Sequence, residues 1–478
     1  KIYILKILAK LTIYTNKMTQ QPINFSERLE NLEKLANLVK KNKNSLETAE
    51  VDSSLLAKSF AAFDINSLVH VFSNYSQLIE LLGSKGYKMN ERSGIKKAAI
   101  MLPYNGPAMT FALSFAGAYI YGVETDIKYA KESKPFFSRL ETLVSDSEIS
   151  SIFLNEDGLS IFSDLRGKEF LNKHLREEAG TDVIEIYGHD SYITPNIESK
   201  LMKNPNVSLI LEGPGKNRFI VANEPINYEE CADAIVELGT INSGQVCMGA
   251  EIFDVDQKAL SKLIPYVVKA ASQKKVGDPY DPKTTVGPLQ EGIANRVISQ
   301  VKDAVNKGAK MEFATPNLNS REKFYTNLND LSTYNFIKHT RNNYVYVPIM
   351  VLSGIKPNML IRTEETFGPI IPLREFNELR EIYNEIEDQS YGLGVHIFSK
   401  NLDDYKVLTE VLERNNGHVF KNASMFSPGQ FDILLSPWGG YKNSRFSIRG
   451  IKDKDKNAVI KTQVGPSYTC LDFSKENG

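Results

Sequence analysis

Cys247 is the residue in this sequence best suited to covalent chemistry. It follows a short polar turn, Ser-Gly-Gln at 243–245, and it precedes an apolar run that ends at Val255. A thiol just beyond a helix end, beside free backbone amides, is predicted to favour the thiolate and to be an exposed nucleophile. On this stretch alone, a buried and inert cysteine is the commoner outcome. Other parts of the chain must therefore decide between the two interpretations.

Three further stretches combine polar side chains with glycine and proline turns. They read Leu-Pro-Tyr-Asn-Gly-Pro at 102–107, Glu-Gly-Pro-Gly-Lys-Asn at 212–217 and Glu-Glu-Thr-Phe-Gly-Pro at 364–369. Taken singly, Asn105 is most often an ordinary turn residue, and Glu212 and Glu365 are most often helix-start or surface carboxylates. One short match of this kind is weak evidence, whereas several in a fixed order are strong.

In that order, together with Gly-Gln-Val-Cys at 244–247, the stretches resemble the aldehyde dehydrogenase family. The likeness runs from about Phe25 to Gly450, and it includes Lys-Val-Gly-Asp-Pro at 275–279 and Pro-Trp-Gly-Gly-Tyr-Lys-Asn-Ser at 437–444. The resemblance implies NAD(P)-dependent oxidation of a small-molecule aldehyde to a carboxylic acid. It also implies an α/β fold with a Rossmann-type dinucleotide-binding domain, an α/β catalytic domain and a small oligomerisation tail.

The resemblance assigns the catalytic roles to three residues. Cys247 matches the nucleophile that forms a thiohemiacetal and, once hydride has left to a nicotinamide, a thioester. Glu212 matches the general base that activates water to hydrolyse this thioester. Asn105 matches the side-chain amide that stabilises the oxyanion beside the backbone N–H of Cys247.

The resemblance also implies that the chain binds NAD or NADP. Glu365 matches the carboxylate that accepts the ribose hydroxyls, a role suited to its acceptor oxygens, and Phe367 matches the ring that packs near the nicotinamide. The cofactor-binding residues expected on this basis are Pro103, Tyr104, Lys128, Gly188, Gly213, Glu365 and Phe367.

The cofactor half departs from the family's pattern more than the catalytic half. Lys128 and Lys131 are rivals for the adenosine-ribose contact, and we favour Lys128 over a second interpretation as a solvated surface lysine. Gly188 keeps one glycine of the phosphate turn, but Asp190 adds negative charge near a site that favours amides and positive potential. Arg445 stands where the C-terminal motif of the family has glycine.

Two alternatives to this function remain open. A CoA-acylating aldehyde dehydrogenase, or acyl-CoA reductase, passes the same thioester to CoA, although Glu212 favours hydrolysis. A family member that has lost turnover and acts as a binding or structural protein is the second alternative, suggested by the altered phosphate turn.

Composition favours a protein that handles small molecules in a reducing compartment. The chain has 478 residues, of which 42% are hydrophobic, so it can bury the cores of two or three domains. Its net charge of -1 gives no basic field for nucleic acid or a membrane. Cys231, Cys247 and Cys470 form neither a disulfide framework nor a metal-ligand pattern, so we expect no metal and a cytoplasmic location.

Apolar runs alternate with helical patterns, which predicts a parallel sheet covered by helices. Expected strands lie at 97–102, 123–129, 149–154, 183–187, 207–211, 219–222 and 344–352. Expected helices lie at 108–121, 167–179, 228–241, 293–305 and 379–386. Residues 315–343 are polar and are expected to be a surface insertion.

Motif positions divide the chain into four segments. Residues 1–17 are expected to be a non-native or disordered leader, 18–212 the dinucleotide-binding domain and 213–435 the catalytic domain. Residues 436–478 are expected to return to the first domain and to supply an edge strand, at 459–473, that pairs with another subunit. A homodimer or homotetramer follows from the resemblance.

Overall fold

The computed structural model describes residues 25–84, 95–153, 159–161, 165–315, 317–319, 322–323, 337–338, 343–426, 434–435, 438–452 and 457–463. The expected leader at 1–17 and most of the polar segment 315–343 lie outside these ranges. Within them, every helix is too short or too polar to span a bilayer.

Helices and strands follow one another through most of the described chain. The helices are α1 (Phe25–Lys41), α2 (Lys43–Ser54), α3 (Lys58–Ser84), α4 (Pro107–Ile120), α5 (Lys134–Ser145), α6 (Gly167–His174), α7 (Pro195–Lys203), α8 (Tyr228–Thr240), α9 (Gln257–Gln273), α10 (Glu291–Asn306), α11 (Leu360–Thr363), α12 (Leu379–Asp388) and α13 (Lys406–Asn415).

The strands carry the residues that the sequence analysis singled out at or near their ends. They are β1 (Lys97–Met101), β2 (Glu124–Lys128), β3 (Leu159–Ile161), β4 (Val183–Tyr187), β5 (Ser208–Glu212), β6 (Asn217–Val221), β7 (Ala250–Asp256), β8 (Leu289–Gln290), β9 (Lys310–Ala314), β10 (Asn317–Asn319), β11 (Glu322–Lys323), β12 (Ile337–Lys338), β13 (Tyr344–Tyr346), β14 (Met350–Ser353), β15 (Ile370–Phe376), β16 (Tyr391–Gly392), β17 (Gly394–Phe398), β18 (His418–Lys421), β19 (Tyr441–Lys442), β20 (Arg445–Lys452) and β21 (Asn457–Gln463).

The first large sheet has the strand order β21-β20-β5-β4-β1-β2-β3, seven strands in the described part of the chain. β1 to β5 are parallel to one another, and β20 and β21 are added antiparallel at one end. The strand order reverses between β1 and β4. In open α/β sheets, ligands bind at the carboxyl ends of the strands at this switch point, which is where 102–106 and Gly188 lie.

The second large sheet has the order β18-β17-β6-β7-β15-β14-β9, again seven strands among the described residues. All its neighbouring pairs are parallel except β14 with β9. The chain passes from the first sheet to the second between β5 and β6, and it returns at β20. The turns before β6, β7 and β15 therefore face the strand ends of the first sheet.

The buried end of α4 holds the loop that contains Asn105. Almost every residue of α4 is buried, and its phenylalanines pack with those of α3 and α5 in one core cluster. The carboxylate of Asp64 in α3 accepts hydrogen bonds from the backbone N–H groups of Ala108 and Met109, at 2.9 and 3.0 Å. A buried acceptor at these first-turn amides satisfies donors that a helix start leaves unpaired.

Two of the expected strands are wrong. Residues 149–154 were expected to form a strand, but Ser150–Phe153 is a 3₁₀ turn, and the next strand is β3. Ile149 and Ile152 are buried nevertheless, at 3% and 0% exposure, because the turn packs against α5. The expected strand at 344–352 is two separate strands, β13 and β14, in different sheets. An apolar run in the sequence predicts that a segment is buried, but it does not specify the conformation of the backbone.

Candidate active site

A cavity of about 580 Å³ lies between the carboxyl ends of the first sheet and the turns of the second. Every catalytic and cofactor-binding residue named from the sequence lines it. They are Pro103, Tyr104, Asn105, Lys128, Gly188, Glu212, Gly213, Cys247, Glu365 and Phe367. The first sheet contributes some of them and the second contributes the others, so the cavity exists only when both sheets are assembled.

The turn before Cys247 stops α8 and aims the thiol into the cavity. Asn242, Ser243 and Gly244 all have positive φ, at 49°, 59° and 79°. This left-handed conformation cannot continue a right-handed helix and is costly for residues other than glycine. A Cβ on Gly244 would lie 2.2 Å from the carbonyl carbon of Gly368. Only glycine therefore fits at position 244.

The backbone of Cys247 is fixed by two residues at the start of β6. The side-chain amide of Asn217 donates to the carbonyl oxygens of Cys247 and Gly249, at 2.6 and 2.8 Å, and its oxygen accepts from the N–H of Gly394 at 3.0 Å. A Cβ on Gly215 would lie 2.0 Å from the Cys247 carbonyl oxygen. Residues 215 and 217 thus hold in place the backbone that carries the Cys247 thiol.

The ionisation of Cys247 differs from the sequence expectation. Burial first, and then the carboxyls of Glu212 and Glu365, raise the pKa of the thiol to about 12. Hydrogen bonds from the backbone N–H groups of Met248 and Cys247 act in the opposite direction but do not overcome these effects. The predicted thiolate is therefore wrong for the ligand-free protein, because the thiol is desolvated and two carboxyls from distant parts of the chain lie close to the sulfur.

Glu212 is the last residue of β5 and is buried, at 7% exposure. Burial raises the pKa of its carboxyl to about 8; Arg445 lowers this pKa and Glu185 raises it. The Nε atom of Arg445 forms an ion pair with Oε1 of Glu212. With a pKa of about 8, the Glu212 carboxyl is partly ionised at neutral pH.

Asn105 and Tyr104 are tied to the turn that carries the thiol. The Asn105 amide donates to the carbonyl oxygen of Gln245 at 2.9 Å, and the Asn242 amide donates to the carbonyl oxygen of Asn105 at 2.8 Å. The hydroxyl of Tyr104 donates to Oε1 of Gln245 at 2.9 Å. The loop after β1 and the turn before β7 therefore form one hydrogen-bonded unit across the two sheets.

Glu365 and Phe367 lie in a turn that is held by a buried ion pair. Glu251 pairs with Lys216 at 2.8 Å, and its carboxylate accepts from the N–H groups of Thr366 and Phe367, each at 2.7 Å. Burial raises the pKa of Glu365 to about 8, and the nearby charge of Glu251 raises it as well. The Glu365 carboxyl thus faces the cavity from a rigid support.

The two rival lysines differ in exposure. Lys128 ends β2, is only 8% exposed, and donates from Nζ to the carbonyl oxygen of Tyr129 at 2.7 Å. Burial lowers its pKa. Lys131 is exposed, and both line the cavity. Lys128 is the one with a fixed position.

The turn after β4 is narrow at Gly188. A Cβ there would lie 3.0 Å from Cε2 of Tyr192, so the ring of Tyr192 covers the glycine. The carboxylate of Asp190, which the sequence places near this turn, pairs with Nδ1 of His189 at 2.8 Å. The same Nδ1 accepts a hydrogen bond from the N–H of Ser191 at 3.1 Å, and the helix that follows, α7, begins at Pro195.

The most important residues that the sequence analysis missed are buried supports. Asn217, Glu251 and Arg445 each hold a cavity residue in place; Asn217 closes the 212–217 turn and Arg445 departs from the family's motif, but the sequence assigns neither of them this role. Lys216 was noted only as part of a motif. Their partners are far away in sequence, so no local signal could have identified them.

Comparisons with known proteins agree with the geometry. The sequence model of the aldehyde dehydrogenase family matches residues 16–328 and 330–462. Retinaldehyde dehydrogenase 3 of Mus musculus is 30% identical over 243 residues, which cover 49% of this chain and only 40% of that protein. Succinate-semialdehyde dehydrogenase [NADP(+)] of Saccharomyces cerevisiae is 25% identical over 81% of this chain and 71% of that protein.

Solved structures share the fold at low sequence identity. An indole-3-acetaldehyde dehydrogenase of P. syringae, in complex with NAD+, superposes with a TM-score of 0.72 at 19% identity and covers 97% of this chain and 88% of that one. A succinic semialdehyde dehydrogenase from Streptococcus pyogenes, in complex with NADP+, gives 0.71 at 17% identity, with 97% and 94% covered. These similarities establish the two-sheet α/β architecture.

Proposed function

The chain belongs to the aldehyde dehydrogenase family, and we propose that it oxidises an aldehyde to a carboxylic acid with NAD+ or NADP+. The observation that carries the proposal is one cavity lined by a thiol, a carboxyl with a pKa of about 8 and a side-chain amide: Cys247, Glu212 and Asn105. These are the groups needed to form a thioester, stabilise its oxyanion and hydrolyse it.

In the first half of the reaction, the sulfur of Cys247 attacks the aldehyde carbonyl. The oxygen that becomes negative is stabilised by the N–H of Cys247 and by the Asn105 amide, which must first leave its hydrogen bond with Gln245. Because the pKa of the thiol is about 12, its proton has to pass to an acceptor as the C–S bond forms, and the neighbouring Glu212 carboxylate is the proposed acceptor. The rigid support from Asn217 keeps the sulfur at the site of attack.

Residues that line the cavity suit the pyrophosphate and the two riboses of a dinucleotide. The switch point of the first sheet and the close turn at Gly188 suit a pyrophosphate, Lys128 suits the adenosine ribose, and the carboxyl of Glu365 suits the hydroxyls of the second ribose. Pro103, Tyr104, Gly213 and Phe367 would complete the contact surface. When bound, NAD+ or NADP+ supplies a hydride acceptor beside Cys247.

In the second half of the reaction, Glu212 accepts a proton from the water that attacks the thioester. Its pKa of about 8 leaves part of the population ionised at neutral pH and a larger part at pH 9. The bond from carbon to sulfur breaks, and the carboxylic acid leaves.

An aldehyde panel tests the proposal. Purified protein is mixed with aliphatic, aromatic and semialdehyde substrates and with NAD+ or NADP+, and NAD(P)H formation is followed by its absorbance. Production of NAD(P)H should be abolished in Cys247→Ala and kept in Cys231→Ala, because Cys231 is fully buried in a helix core. No production with any aldehyde, or production that survives Cys247→Ala, would overturn the proposal. Production that requires CoA would instead favour the acylating alternative.

Cofactor titration separates turnover from a binding or structural role. We expect NAD+ or NADP+ to quench the fluorescence of Trp438, the only tryptophan of the chain, because Trp438 lines the cavity. Failure of both to bind to the folded protein would support a family member without turnover.

Location and assembly complete the proposal. The chain is proposed to work in the cytoplasm, supported by the free thiols of Cys231 and Cys247, and to form a homodimer or homotetramer. β21 ends the first sheet in the described part of the chain and is a candidate contact strand. Light scattering measures the mass of the purified protein in solution. A monomeric mass would exclude the proposed homodimer or homotetramer.

A further inference from the structure

Arg445 and Glu212 face each other across two neighbouring strands. β20 runs antiparallel to β5, and Arg445 is the direct partner of Glu212 in that register. Directly opposed residues of an antiparallel pair project from the same face of the sheet and interact. The guanidinium Nε of Arg445 pairs with Oε1 of Glu212, and the two side chains are 2% and 7% exposed. The pair is thus almost completely removed from water.

We infer that Arg445 is a positioning residue for thioester hydrolysis: it orients the Glu212 carboxyl and favours its ionised form, and so sets the rate of the second half-reaction. The inference rests on the proposed function, because it assigns Glu212 to that step.

The structure is built to accommodate this arginine. Its Nη1 donates to the carbonyl oxygen of Trp438 at 3.1 Å, so the guanidinium is held at both ends. Gly439 has a φ of +122°, and a Cβ there would lie 2.3 Å from Cδ of Arg445. The absence of a side chain at position 439 therefore makes room for the arginine.

The loop that follows Glu212 is docked on the same segment. The N–H of Gly213 donates to the carbonyl oxygen of Ser444 at 2.8 Å, and the Ser444 hydroxyl donates to the carbonyl oxygen of Pro214 at 2.8 Å. A Cβ on Gly213 would meet the carbonyl oxygen of Asn443 at 2.4 Å. The general base and its arginine are therefore carried by one interlocked unit.

Among the described residues, Glu212 has three other ionisable neighbours, of which Glu185 raises its pKa. Glu185 and Tyr187 face it from β4, and the Cys247 thiol faces it from the turn before β7. Burial raises the pKa of Glu212, Arg445 lowers it, and Glu185 raises it, with about 8 as the result. Arg445 supplies the positive charge that lowers the pKa of Glu212. Its removal would leave the buried Glu212 carboxyl beside the carboxyl of Glu185.

The step that depends on this carboxylate is a proton transfer coupled to bond formation. A water oxygen bonds to the thioester carbon while one of its protons passes to Glu212. The carbon–sulfur bond then breaks, its electron pair stays on sulfur, and the acid is released. The ion pair uses Oε1, so Oε2 is assigned to accept the proton. A neutral Glu212 cannot perform this step.

An activated ester isolates the step without a cofactor. 4-Nitrophenyl acetate acylates a reactive thiol and releases 4-nitrophenolate, after which water must remove the acetyl group. Stopped-flow absorbance gives the burst of acylation and the later steady rate of deacylation, between pH 6 and 10. Intact-mass spectrometry measures the acetylated protein. The variants are Arg445→Gln, Arg445→Lys and, as a matched control on the same strand and face, Arg449→Gln, which lies opposite Ser208 at the far end of β5.

We expect the burst to remain in Arg445→Gln and the acetyl-enzyme to accumulate. Its deacylation at pH 7 should fall about tenfold or more, and the acid limb should move up by about one pH unit or more, as follows from losing a neighbouring cation. Arg445→Lys should lie between Arg445→Gln and the parent, and Arg449→Gln should match the parent.

A deacylation profile in folded Arg445→Gln that coincides with that of the parent would overturn the inference but leave the proposed function intact. Absence of a Cys247-dependent burst in the parent would overturn both. If Arg445→Gln does not fold, Gly439→Ala provides the second test, since its methyl group displaces the guanidinium without removing the charge. Gly439→Ala should show the same slow deacylation, and an unchanged rate would also overturn the inference.

Discussion

Replacing Asn217 with aspartate should separate the support of the nucleophile from its chemistry. The two side chains have the same shape, but a carboxylate has no N–H to donate. Asn217→Asp keeps the hydrogen bond from the N–H of Gly394 and loses both donations, to Cys247 and to Gly249. The carbonyl oxygens of Cys247 and Gly249 would then face a carboxylate oxygen of residue 217, which is also an acceptor. Asn217 is only 2% exposed, so water cannot replace the lost donors.

The loss in stability follows from these two broken hydrogen bonds. A buried polar group left without a partner costs about 1–3 kcal/mol, so the free energy of unfolding should fall by about 2–6 kcal/mol. This is a large part of the typical total of about 5–15 kcal/mol. The carbonyl of Cys247 would also move away from residue 217, and we expect alkylation of the thiol to slow at least about tenfold, a free-energy change of about 1.4 kcal/mol.

Urea unfolding, followed by Trp438 fluorescence, measures the first quantity, and iodoacetamide labelling with mass spectrometry measures the second. Asn422→Asp is the control. Asn422 makes a similar bridge to Ser399, with its oxygen accepting from the N–H at 2.9 Å and its amide donating to the carbonyl oxygen at 3.0 Å, but away from the cavity. Asn422→Asp should lower the free energy of unfolding without slowing the alkylation of Cys247. Asn217→Asp with parental stability and parental labelling would refute the reasoning.

Three further outcomes are expected. Alkylation of Cys247 in the ligand-free protein should rise about tenfold per pH unit between pH 7 and 10, because its pKa is about 12; a plateau below pH 9 would contradict this. Burial raises the pKa of Glu50 well above 4.5, so the folded state binds more protons than the unfolded one, and the free energy of unfolding should fall as pH rises above about 4.5. In urea titrations, the free energy of unfolding should fall less between pH 5 and pH 8 in Glu50→Gln than in the parent protein. An equal fall in both proteins would contradict this role of Glu50. Gly215→Ala should abolish labelling of Cys247, since its Cβ would lie 2.0 Å from the Cys247 carbonyl oxygen. Gly292→Ala, with no atom within 4 Å, should be neutral, and normal labelling in Gly215→Ala would show that the turn can shift.

Where periodicity and stop signals coincide, the sequence predicts the elements closely. The strand expected at 183–187 is β4, and the helices expected at 108–121 and 228–241 are α4 and α8 within a residue or so. α8 illustrates the reason: the side chain of Asn227 caps its first turn, and the left-handed turn at Asn242 ends it. Both signals are local, so the sequence alone contains them.

The sequence could not predict the properties of the site that depend on distant partners. The setting of Cys247 favours the thiolate when only neighbouring backbone amides are considered. In the folded chain, burial raises the pKa of the thiol, and so do two carboxyls from different sheets, Glu212 at the end of β5 and Glu365 in the turn before β15. The pairing of Arg445 with Glu212 depends on the register of β20 with β5, which no local pattern specifies.

Three acids share one desolvated cavity, and they cannot all ionise at neutral pH. Each carboxyl has a cation that lowers its pKa, Arg445 for Glu212 and Arg296 for Glu365. The groups that act most strongly on Cys247 are the two carboxyls themselves. As pH rises, the carboxyls therefore ionise first and the thiol last, and each new negative charge makes the thiol harder to ionise. In the proposed reaction the thiol thus loses its proton only as the carbon–sulfur bond forms, whereas a fraction of Glu212 is already ionised at neutral pH. Arg445 increases this fraction, because its charge lowers the pKa of Glu212.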